Sequence, residues 1–220
     1  MKLYTVYSPS YVDLYTNYFL SSLPSDVTLE AKELPQDSPS GECWSEGYDI
    51  AEHKKIKYFK EACESNQGNI IICCDADIQF FGDIVETVTA ELGDYDLACQ
   101  DDGFYPADAD RLPLCVGFMV VRCNQNTINL FTKMDENFTT DSQLMLNKYK
   151  EECQYKLLSN KFFTAGQSLG WRGWNYCDCS GGEKTFTIPN PILMHHANYT
   201  FGFDNKKKLL DIVKERVEAR

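Results

Sequence analysis

The chain has 220 residues, and its 21 Lys and Arg side chains against 33 Asp and Glu side chains give a formal net charge of −12. This charge argues against a nucleic-acid-binding protein, because such proteins normally carry a basic footprint. No stretch is apolar for long enough to span a membrane, and the first residues do not resemble a signal peptide. We therefore expect a cytoplasmic protein of one domain with reduced cysteines.

The first part of the chain alternates between extended and helical patterns. The predicted elements are strands over 3–7, 27–31 and 70–74 and helices over 11–23 and 48–63. A loop rich in Pro, Ser and Gly covers 34–44. This order predicts an α/β fold with parallel strands and right-handed crossovers.

The second part is less regular. The predicted elements are a short helix ending near residue 92, strands over 96–100 and 116–122, helices over 124–134 and 141–149, a strand-like segment over 154–164 and a final helix over 204–217. We expect an acidic loop over 101–111, an irregular stretch over 167–185 and a cap by Asp204 on the final helix.

The strongest chemical signal is the pair Asp75 and Asp77 at the end of the run Ile70–Cys74. Because that run is short, β-branched and apolar without alternation, it predicts a strand buried on both faces. Two carboxylates at its exit need a positive partner. A divalent metal is the simplest one, since Mg²⁺ and Mn²⁺ take carboxylate oxygens and leave positions for substrate phosphates.

A single Asp-x-Asp pair is a weak signal, because phosphatases of the haloacid-dehalogenase type also use one. Three further features accompany it here. Tyr11 follows the first strand, Lys57 lies one helix upstream of the pair, and a His, Asn, Gly and Lys recur between His196 and Lys206.

With these features the chain resembles the nucleotide-diphospho-sugar transferases of the GT-A fold, most of all the compact glycosyltransferases encoded by large algal (chlorella) viruses. The residues that carry the resemblance are Thr5–Ser8, Lys57, Asp75–Asp77, Gly117–Arg122, Asp141–Gln143 and His196–Lys206. The resemblance implies a mostly parallel sheet flanked by helices with a small antiparallel addition. It also divides the chain 1–220 into a nucleotide-binding part (1–100), a donor-sugar and acceptor part (101–203) and a C-terminal helix (204–220).

The resemblance also implies roles for individual residues. It assigns metal ligation to Asp75, Asp77 and His196, contact with the ribose to Asp75, and neutralisation of phosphate to Lys206. It places Thr5, Tyr7, Ser8, Tyr11, Lys57, Ala76, Asn198 and Gly202 around the nucleotide. We favour Mn²⁺ over Mg²⁺, because histidine is the less usual ligand for Mg²⁺.

Several of these residues have an alternative structural explanation. Tyr11 either stacks on a uracil ring or packs in the core, and Lys57 either contacts the nucleotide or is a solvated helix lysine. Asp141 with Gln143 resembles a pair near the donor sugar, but Asp141 also fits a helix cap. Asp101, with its neighbour Asp102, fits either sugar hydroxyls or a solvated loop.

The acceptor side is less defined: Trp171 and Trp174 fit an acceptor-sugar platform or simple packing. His195 fits a packing role.

The function expected from the resemblance is metal-dependent transfer of a sugar, with retention, from a UDP-hexose or UDP-deoxyhexose to a glycan or glycoprotein acceptor. The expected protein is a monomer or weak dimer in the cytoplasm, or in the host cytoplasm if it is viral. Two alternatives remain open on the sequence: a phosphatase with Asp75 as nucleophile and Asp77 as general acid, and a non-catalytic metal-dependent carbohydrate-binding module.

Overall fold

The computed structural model of the protein describes residues 1–39, 45–102, 114–164, 186–198, 200 and 202–220. Its strands are β1 (Lys2–Tyr7), β2 (Thr28–Glu33), β3 (Ile70–Cys74), β4 (Ile78–Phe80), β5 (Leu97–Asp101), β6 (Leu114–Arg122), β7 (Tyr155–Leu157), β8 (Phe162–Thr164) and β9 (Met194–His196). Its α-helices are α1 (Val12–Leu14), α2 (Tyr48–Ser65), α3 (Val85–Leu92), α4 (Gln125–Glu136), α5 (Ser142–Tyr149) and α6 (Phe203–Glu218).

Within the described residues, the larger sheet has six strands in the order β2-β1-β3-β6-β5-β7. Strands β2, β1 and β3 pair in parallel, and β7 pairs in parallel with β5. Strand β6 lies antiparallel between β3 and β5, so it alone opposes the direction of the other five. The predicted mostly parallel central sheet is therefore confirmed.

A smaller sheet joins β4, β9 and β8 beside the end of β3. Strands β4 and β9 are antiparallel, as the predicted small addition requires, while β9 and β8 are parallel. The apolar run that resumes after Asp77 forms strand β4 of this sheet. This sheet matters for function because it brings the segment around residue 196 back to the end of β3.

The core explains why Ile70–Cys74 shows no alternation. Ile71 and Cys73 pack on the side of the large sheet that α2 and α4 cover, whereas Ile72 and Cys74 pack on the other side. A strand buried on both faces reads as a continuous apolar run. Helix α6 covers a third apolar cluster that includes Leu14, Phe163 and Leu210.

The helical segment after β1 differs in detail from the prediction. A helix was expected over 11–23, and residues 9–22 are helical, but the segment changes from 3₁₀ to α to π and back to 3₁₀.

The predicted strand-like run over 154–164 is two strands in different sheets, β7 and β8. A turn separates them, in which the amide of Phe162 donates to the carbonyl of Ser159 at 3.1 Å. Ser and Asn at 159–160 favour such a turn.

The expectation that Asp204 caps the last helix was wrong. Gly202 is the N-cap of α6, with a φ of 82° that favours glycine, and Asp204 lies in the first turn. The Asp204 carboxylate pairs instead with Lys207 at 3.0 Å. Among the described helices, none is both long and apolar enough to cross a membrane.

Candidate functional site

The Asp75-Ala76-Asp77 segment lies where the two sheets meet. The amide of Asp75 donates to the carbonyl of Gly117 in β6 at 2.9 Å, which continues the pairing of β3. The carbonyl of Asp77 accepts from the amide of Ala197 at 3.0 Å, just after β9. Ala76 is buried between the two aspartates. Both ends of the segment are therefore fixed by backbone hydrogen bonds to different sheets.

Asp75, Asp77 and His196 form a cluster of potential metal ligands. The Nε2 atom of His196 lies 3.3 Å from Oδ1 of Asp77 and 3.8 Å from Oδ2 of Asp75. One ligand atom from each residue fits within a mutual separation of 4.8 Å. Asp77 and His196 are buried, whereas the Asp75 side chain is 26% exposed. The cluster could hold a divalent metal with one side open to a further ligand.

Gly117 makes room for this cluster. A Cβ atom at residue 117 would lie 2.2 Å from Cε1 of His196 and 2.9 Å from Oδ2 of Asp75. Glycine inside a strand often marks such a close approach. The absence of a side chain at this position is therefore what allows the imidazole and the Asp75 carboxylate to converge, so the donor set and the space fit a metal ion.

Gln100 fixes the orientation of the His196 ring. Its Nε2 donates to the carbonyls of Phe162 and Phe163 at 3.1 and 3.0 Å, so its Oε1 accepts from Nδ1 of His196 at 2.9 Å. That contact places the proton of the neutral imidazole on Nδ1 and leaves the lone pair of Nε2 facing the two aspartates. A hydrogen bond of this kind to the second nitrogen is typical of metal-binding histidines.

Each aspartate divides its two oxygens between the cluster and a buried lysine. Lys55 of α2 binds Oδ1 of Asp75 at 3.1 Å and Oε1 of Glu52 at 2.8 Å. Lys206 of α6 donates to Oδ2 of Asp77 and, at 3.4 Å, to the carbonyl of Ala197. The remaining oxygens, Oδ2 of Asp75 and Oδ1 of Asp77, are those that face His196.

These contacts keep Asp77 and Lys55 charged. Burial favours the neutral form of Asp77, but the buried ammonium of Lys206 outweighs it and lowers the pKa of Asp77 well below the usual range. Burial likewise opposes the charge of Lys55, but Asp75 and Glu52 outweigh it and raise its pKa. Asp77 therefore carries its negative charge and Lys55 its positive charge, each in contact with an opposite charge.

The lysine of α2 that reaches the cluster is Lys55 rather than Lys57. The Lys57 side chain is 53% exposed, and its ammonium lies 4.0 Å from Asp135 on α4. The structure therefore does not bring Lys57 to the aspartate pair. A signal for Lys55 was present in the sequence, because it precedes Ile56 and lies four residues before Phe59, on the apolar side of the helix.

Of the residues expected around the base, Tyr11 lies beside Lys206. Its ring meets Phe203 edge to face with centroids 5.0 Å apart, and the Lys206 ammonium lies 5.8 Å from its centroid. Gly202 begins the helix that carries both of these partners. Tyr11 is only partly buried, so the structure places it at the surface beside Lys206.

The other residues expected at the base lie at the end of β1. Thr5 is opposite Cys74 and fully buried, and its hydroxyl has no hydrogen-bond partner among the described residues. Tyr7 stacks on Tyr15 with centroids 4.0 Å apart, and the Ser8 hydroxyl lies 3.1 Å from that of Ser10. The structure thus gives Tyr7 and Ser8 local partners within the first part of the chain.

A second polar group surrounds Asp102, beside the metal-ligand cluster. Its Oδ2 accepts from Nε2 of Gln143 at 2.9 Å, and its Oδ1 accepts from Nδ2 of Asn198 at 3.2 Å. Asn198 follows His196 by two residues and also accepts from the hydroxyl of Thr164. Asp102 is only 2% exposed. Its two hydrogen bonds join three segments that are distant in sequence.

The two acidic residues next to this group differ in position. Asp141 is the N-cap of α5, with its Oδ1 accepting from the amides of Gln143 and Leu144 at 2.7 and 3.3 Å. The observed contacts of Asp141 are therefore those of a helix cap. Asp101 is the last residue of β5, opposite Leu114. Trp171 and Trp174 lie outside the described residues.

His195 lies on the opposite face of β9 from His196. It is fully buried against Phe163, with ring centroids 5.6 Å apart, and neither ring nitrogen has a hydrogen-bond partner among the described residues. Burial, helped by the neighbouring His196, lowers the pKa of His195 to about 3. His195 is therefore a neutral packing residue.

Three residues at the site were not anticipated from the sequence, Glu52, Gln100 and Lys55. Glu52 and Lys55 are three residues apart on one side of α2, which is the spacing of facing side chains on a helix. Gln100 follows the apolar run Leu97–Cys99 and remains fully buried. A polar residue at the end of the predicted strand 96–100 was the available signal for Gln100.

The chain matches one family over most of its length. A sequence model of the family described as nucleotide-diphospho-sugar transferase matches residues 64–210, which is more than half of the chain. No curated protein sequence matches it. The matched region contains both aspartates, His196 and Lys206.

Solved glycosyltransferases are similar to this chain in fold. GlyE of Streptococcus pneumoniae TIGR4 is similar over 98% of this chain and 64% of its own, with 14% identity and a TM-score of 0.53, so the chain spans less than two thirds of GlyE. The galactosyltransferase LgtC, solved with donor and acceptor sugar analogues, is similar over 96% of both chains, with 9% identity and a TM-score of 0.52.

A glycosyltransferase involved in glycosylation of the major capsid of PBCV-1 has a similar length. The similarity covers 96% of this chain and 98% of that one, with 9% identity and a TM-score of 0.56. At these identities the likeness concerns the fold, while the family match concerns the sequence. Together they argue against the phosphatase alternative: the chain belongs to the nucleotide-diphospho-sugar transferase family and has the GT-A fold.

Proposed function

We propose that the protein is a metal-dependent glycosyltransferase that moves a sugar from a nucleotide-diphospho-sugar, a UDP-hexose or UDP-deoxyhexose, to a hydroxyl of a glycan or glycoprotein. The observation that carries the proposal is the convergence of Asp75, Asp77 and His196, with a lysine on the far oxygen of each aspartate. This arrangement leaves one oxygen of each carboxylate and one imidazole nitrogen for a single ion.

The charges of the cluster suit a diphosphate. Counted as formal charges, the two aspartates and Glu52 beside them are opposed by Lys55 and Lys206, which leaves one net negative charge. A divalent ion would reverse that sign, so the site would attract an anionic donor only when it holds metal. A bound metal supplies Lewis-acid stabilisation of the charge that develops on the leaving diphosphate.

Lys206 is proposed to hold the phosphate side of the donor. Its ammonium is already buried at the cluster and balanced by Asp77, and a preorganised charge of this kind stabilises developing negative charge most effectively. Asp75, which is the more exposed of the two aspartates, is proposed to share its contacts between metal and ribose. Gly202 and Ala76 supply the backbone that positions these two side chains.

We propose that the end of β1 is the part of the protein that selects uridine. There the backbone of Thr5–Ser8 would read the uracil edge, and Tyr11 would stack on the ring, as aromatic side chains do with bases. The partly buried position of Tyr11 beside Lys206 supports this, because a base and its diphosphate must be bound at adjacent positions.

The donor sugar is proposed to lie against the group around Asp102, Gln143 and Asn198. These side chains form one hydrogen-bonded unit next to the metal-ligand cluster, and their polar atoms match sugar hydroxyls in kind. Asp101 and Asp141 flank this unit at the end of β5 and the start of α5. Lys57 is left out of the proposed site because of its exposed position beside Asp135.

The remaining parts of the proposal are expectations from the sequence and from the family resemblance. They are Mn²⁺ in preference to Mg²⁺, transfer with retention, a single GT-A domain over 1–220, and a monomer or weak dimer that acts in the cytoplasm, of the host if the protein is viral. The nucleotide-binding part would be 1–100, the donor-sugar and acceptor part 101–203, and the C-terminal helix 204–220.

Nucleotide-dependent thermal stabilisation tests the function directly. We expect UDP to raise the unfolding temperature in the presence of Mn²⁺ and to have little effect without metal, with GDP weaker than UDP. The variants Asp77→Asn and His196→Ala should abolish the effect. His53→Ala is the matched control, because His53 is a half-buried histidine that packs on Phe138 away from the cluster. UDP binding that survives both site variants would refute the proposed metal site.

Turnover identifies the donor and the stereochemical course. We expect release of UDP from one member of a panel of nucleotide sugars, dependent on Mn²⁺. Nuclear magnetic resonance of the product should then show the anomeric configuration of the donor. An inverted product would reject retention alone, whereas hydrolysis of generic phosphate esters without any response to nucleotides would reject the transferase.

A further inference from the structure

Glu52 is a nearly buried carboxylate that lies one helical turn before Lys55. Its side chain is 13% exposed, and its Oε1 lies 2.8 Å from the Lys55 ammonium, which is itself 6% exposed. The same ammonium contacts Oδ1 of Asp75 at 3.1 Å. Lys55 is therefore shared between one carboxylate of α2 and one carboxylate of the metal-ligand cluster.

The second oxygen of Glu52 connects it to another helix. Oε2 accepts a hydrogen bond from the hydroxyl of Ser142. Ser142 is the first residue of α5 and is fully buried. The next residue, Gln143, contacts Asp102. Glu52 thus contacts both the lysine that holds Asp75 and the start of the helix that carries Gln143.

We propose that Glu52 is a positioning residue that acts through Lys55 on Asp75 and through Ser142 on the start of α5. This inference rests on the proposed function, since it assumes that Asp75 binds metal. Glu52 itself touches neither the cluster of Asp75, Asp77 and His196 nor the group around Asp102.

The positive charge of Lys55 is divided between two carboxylates, Glu52 and Asp75. With Glu52 present, the ammonium has two carboxylate partners, so Asp75 keeps much of its negative charge for a metal on the Oδ2 side. Without the Glu52 charge, Lys55 would pair with Asp75 alone, and the attraction of Asp75 for a cation would fall. Lys55 would also lose the contact that sets its place along Asp75, so Oδ2 would turn less reliably toward His196.

The test is the affinity for Mn²⁺ alone, measured from the electron paramagnetic resonance signal of the free ion during titration. We expect Glu52→Gln to weaken Mn²⁺ binding by about 10–100-fold, the usual effect of removing a residue that supports a metal ligand. The matched control is Glu61→Gln, which makes the same change on the same helix. Glu61 is 63% exposed and pairs only loosely with Lys32, at 3.8 Å, so this variant should bind Mn²⁺ as the wild type does.

A purely structural role would lower the unfolding temperature without changing the affinity of the folded protein for Mn²⁺. If Glu52→Gln folds and binds Mn²⁺ like the wild type, the inference is overturned. If that variant does not fold, Ser142→Ala decides the matter, because it removes only the hydroxyl that holds Oε2. We expect it to weaken Mn²⁺ binding severalfold, and unchanged binding would overturn the inference.

The wild type separates this inference from the proposed function. If the wild-type protein binds no Mn²⁺, the proposed metal site fails, and the role of Glu52 falls with it. If the wild type binds Mn²⁺ and UDP while Glu52→Gln matches it in both, the proposed function stands and only the positioning role is rejected.

Discussion

Replacing Gly117 by Ala is a sharp perturbation of the candidate metal site, because it adds a single methyl group. The added Cβ would lie 2.2 Å from Cε1 of His196 and 2.9 Å from Oδ2 of Asp75. Ordinary contacts between carbon atoms begin at about 3.5 Å. The imidazole, or the strand that carries residue 117, must therefore move by roughly 1.3 Å, the difference between these contact distances.

That movement exceeds what a metal site tolerates. Ligand distances in metal sites are held to about 0.2 Å, so His196 would no longer ligate in the same geometry as Asp77. Displacing a direct donor should cost at least the upper end of the roughly 10–100-fold loss seen for supporting residues. A hundredfold loss corresponds to about 2.8 kcal/mol of binding free energy. Overpacking should also lower the free energy of unfolding, by about 1–3 kcal/mol.

The assay is Mn²⁺ titration of the folded variant together with urea denaturation. Gly68→Ala is the control, because a Cβ there meets no atom within 4 Å but its φ of +83° is strained for alanine. That variant should lose a comparable stability, about 1–2 kcal/mol, and keep wild-type Mn²⁺ affinity. If Gly117→Ala binds Mn²⁺ as tightly as the wild type, the argument that this glycine admits His196 and Asp75 is refuted.

Three further predictions concern residues around the site and one buried acid. Lys57→Met should leave Mn²⁺-dependent UDP binding unchanged in calorimetry, because this side chain is 53% exposed and its ammonium lies beside Asp135 on α4. A loss of UDP binding would show that Lys57 belongs to the site. Asp102→Asn should lower the rate of UDP release from the donor by about tenfold, the effect of losing about 1–2 kcal/mol of hydrogen bonding to Gln143 and Asn198. The Mn²⁺ affinity should stay constant. Turnover equal to that of the wild type would contradict the proposed donor-sugar group. Asp96→Asn should lower the free energy of unfolding by about 1.5–3 kcal/mol near pH 7, since burial is outweighed by its backbone and amide donors, which lower the pKa of Asp96. That stability is present above the ordinary pKa of an aspartate and is lost as the pH falls through the lowered value, so urea denaturation at pH 7 and pH 3 should show the deficit shrinking; a deficit that is constant with pH would contradict this reasoning.

The sequence determined the parts of the site that depend on local pattern. The apolar run Ile70–Cys74 predicted a strand buried on both faces, and the structure places it inside the large sheet with its two sides in different cores. The aspartates that follow such a strand must lie at its end. The cap at Asp141 was also readable, because a short acidic side chain before a helical run is a local signal.

The choice between Lys55 and Lys57 shows where local pattern was insufficient. Side chains two positions apart on an α-helix point in directions about 200° apart. Only one of the two lysines can therefore face the aspartate pair. The rotation of α2 about its own axis decides which lysine faces the sheet, and the packing of Ile56 and Phe59 sets that rotation. The resemblance alone suggested Lys57, whereas the packed helix brings Lys55 to Asp75.

Contacts between distant segments were decided by tertiary structure alone. Gln100 orients the ring of His196 from 96 residues away, and Gly117 makes the space in which that ring meets Asp75. The apolar run before Gln100 marks it as an unusual polar residue, but the partner of Gln100 and the role of Gly117 cannot be predicted locally, because both depend on how β9 is placed against β5 and β6. The sequence by itself thus determined which acidic and imidazole groups are available for a metal. The pairing of strands decided which side chains orient them, because that pairing depends on long-range packing rather than on neighbouring residues.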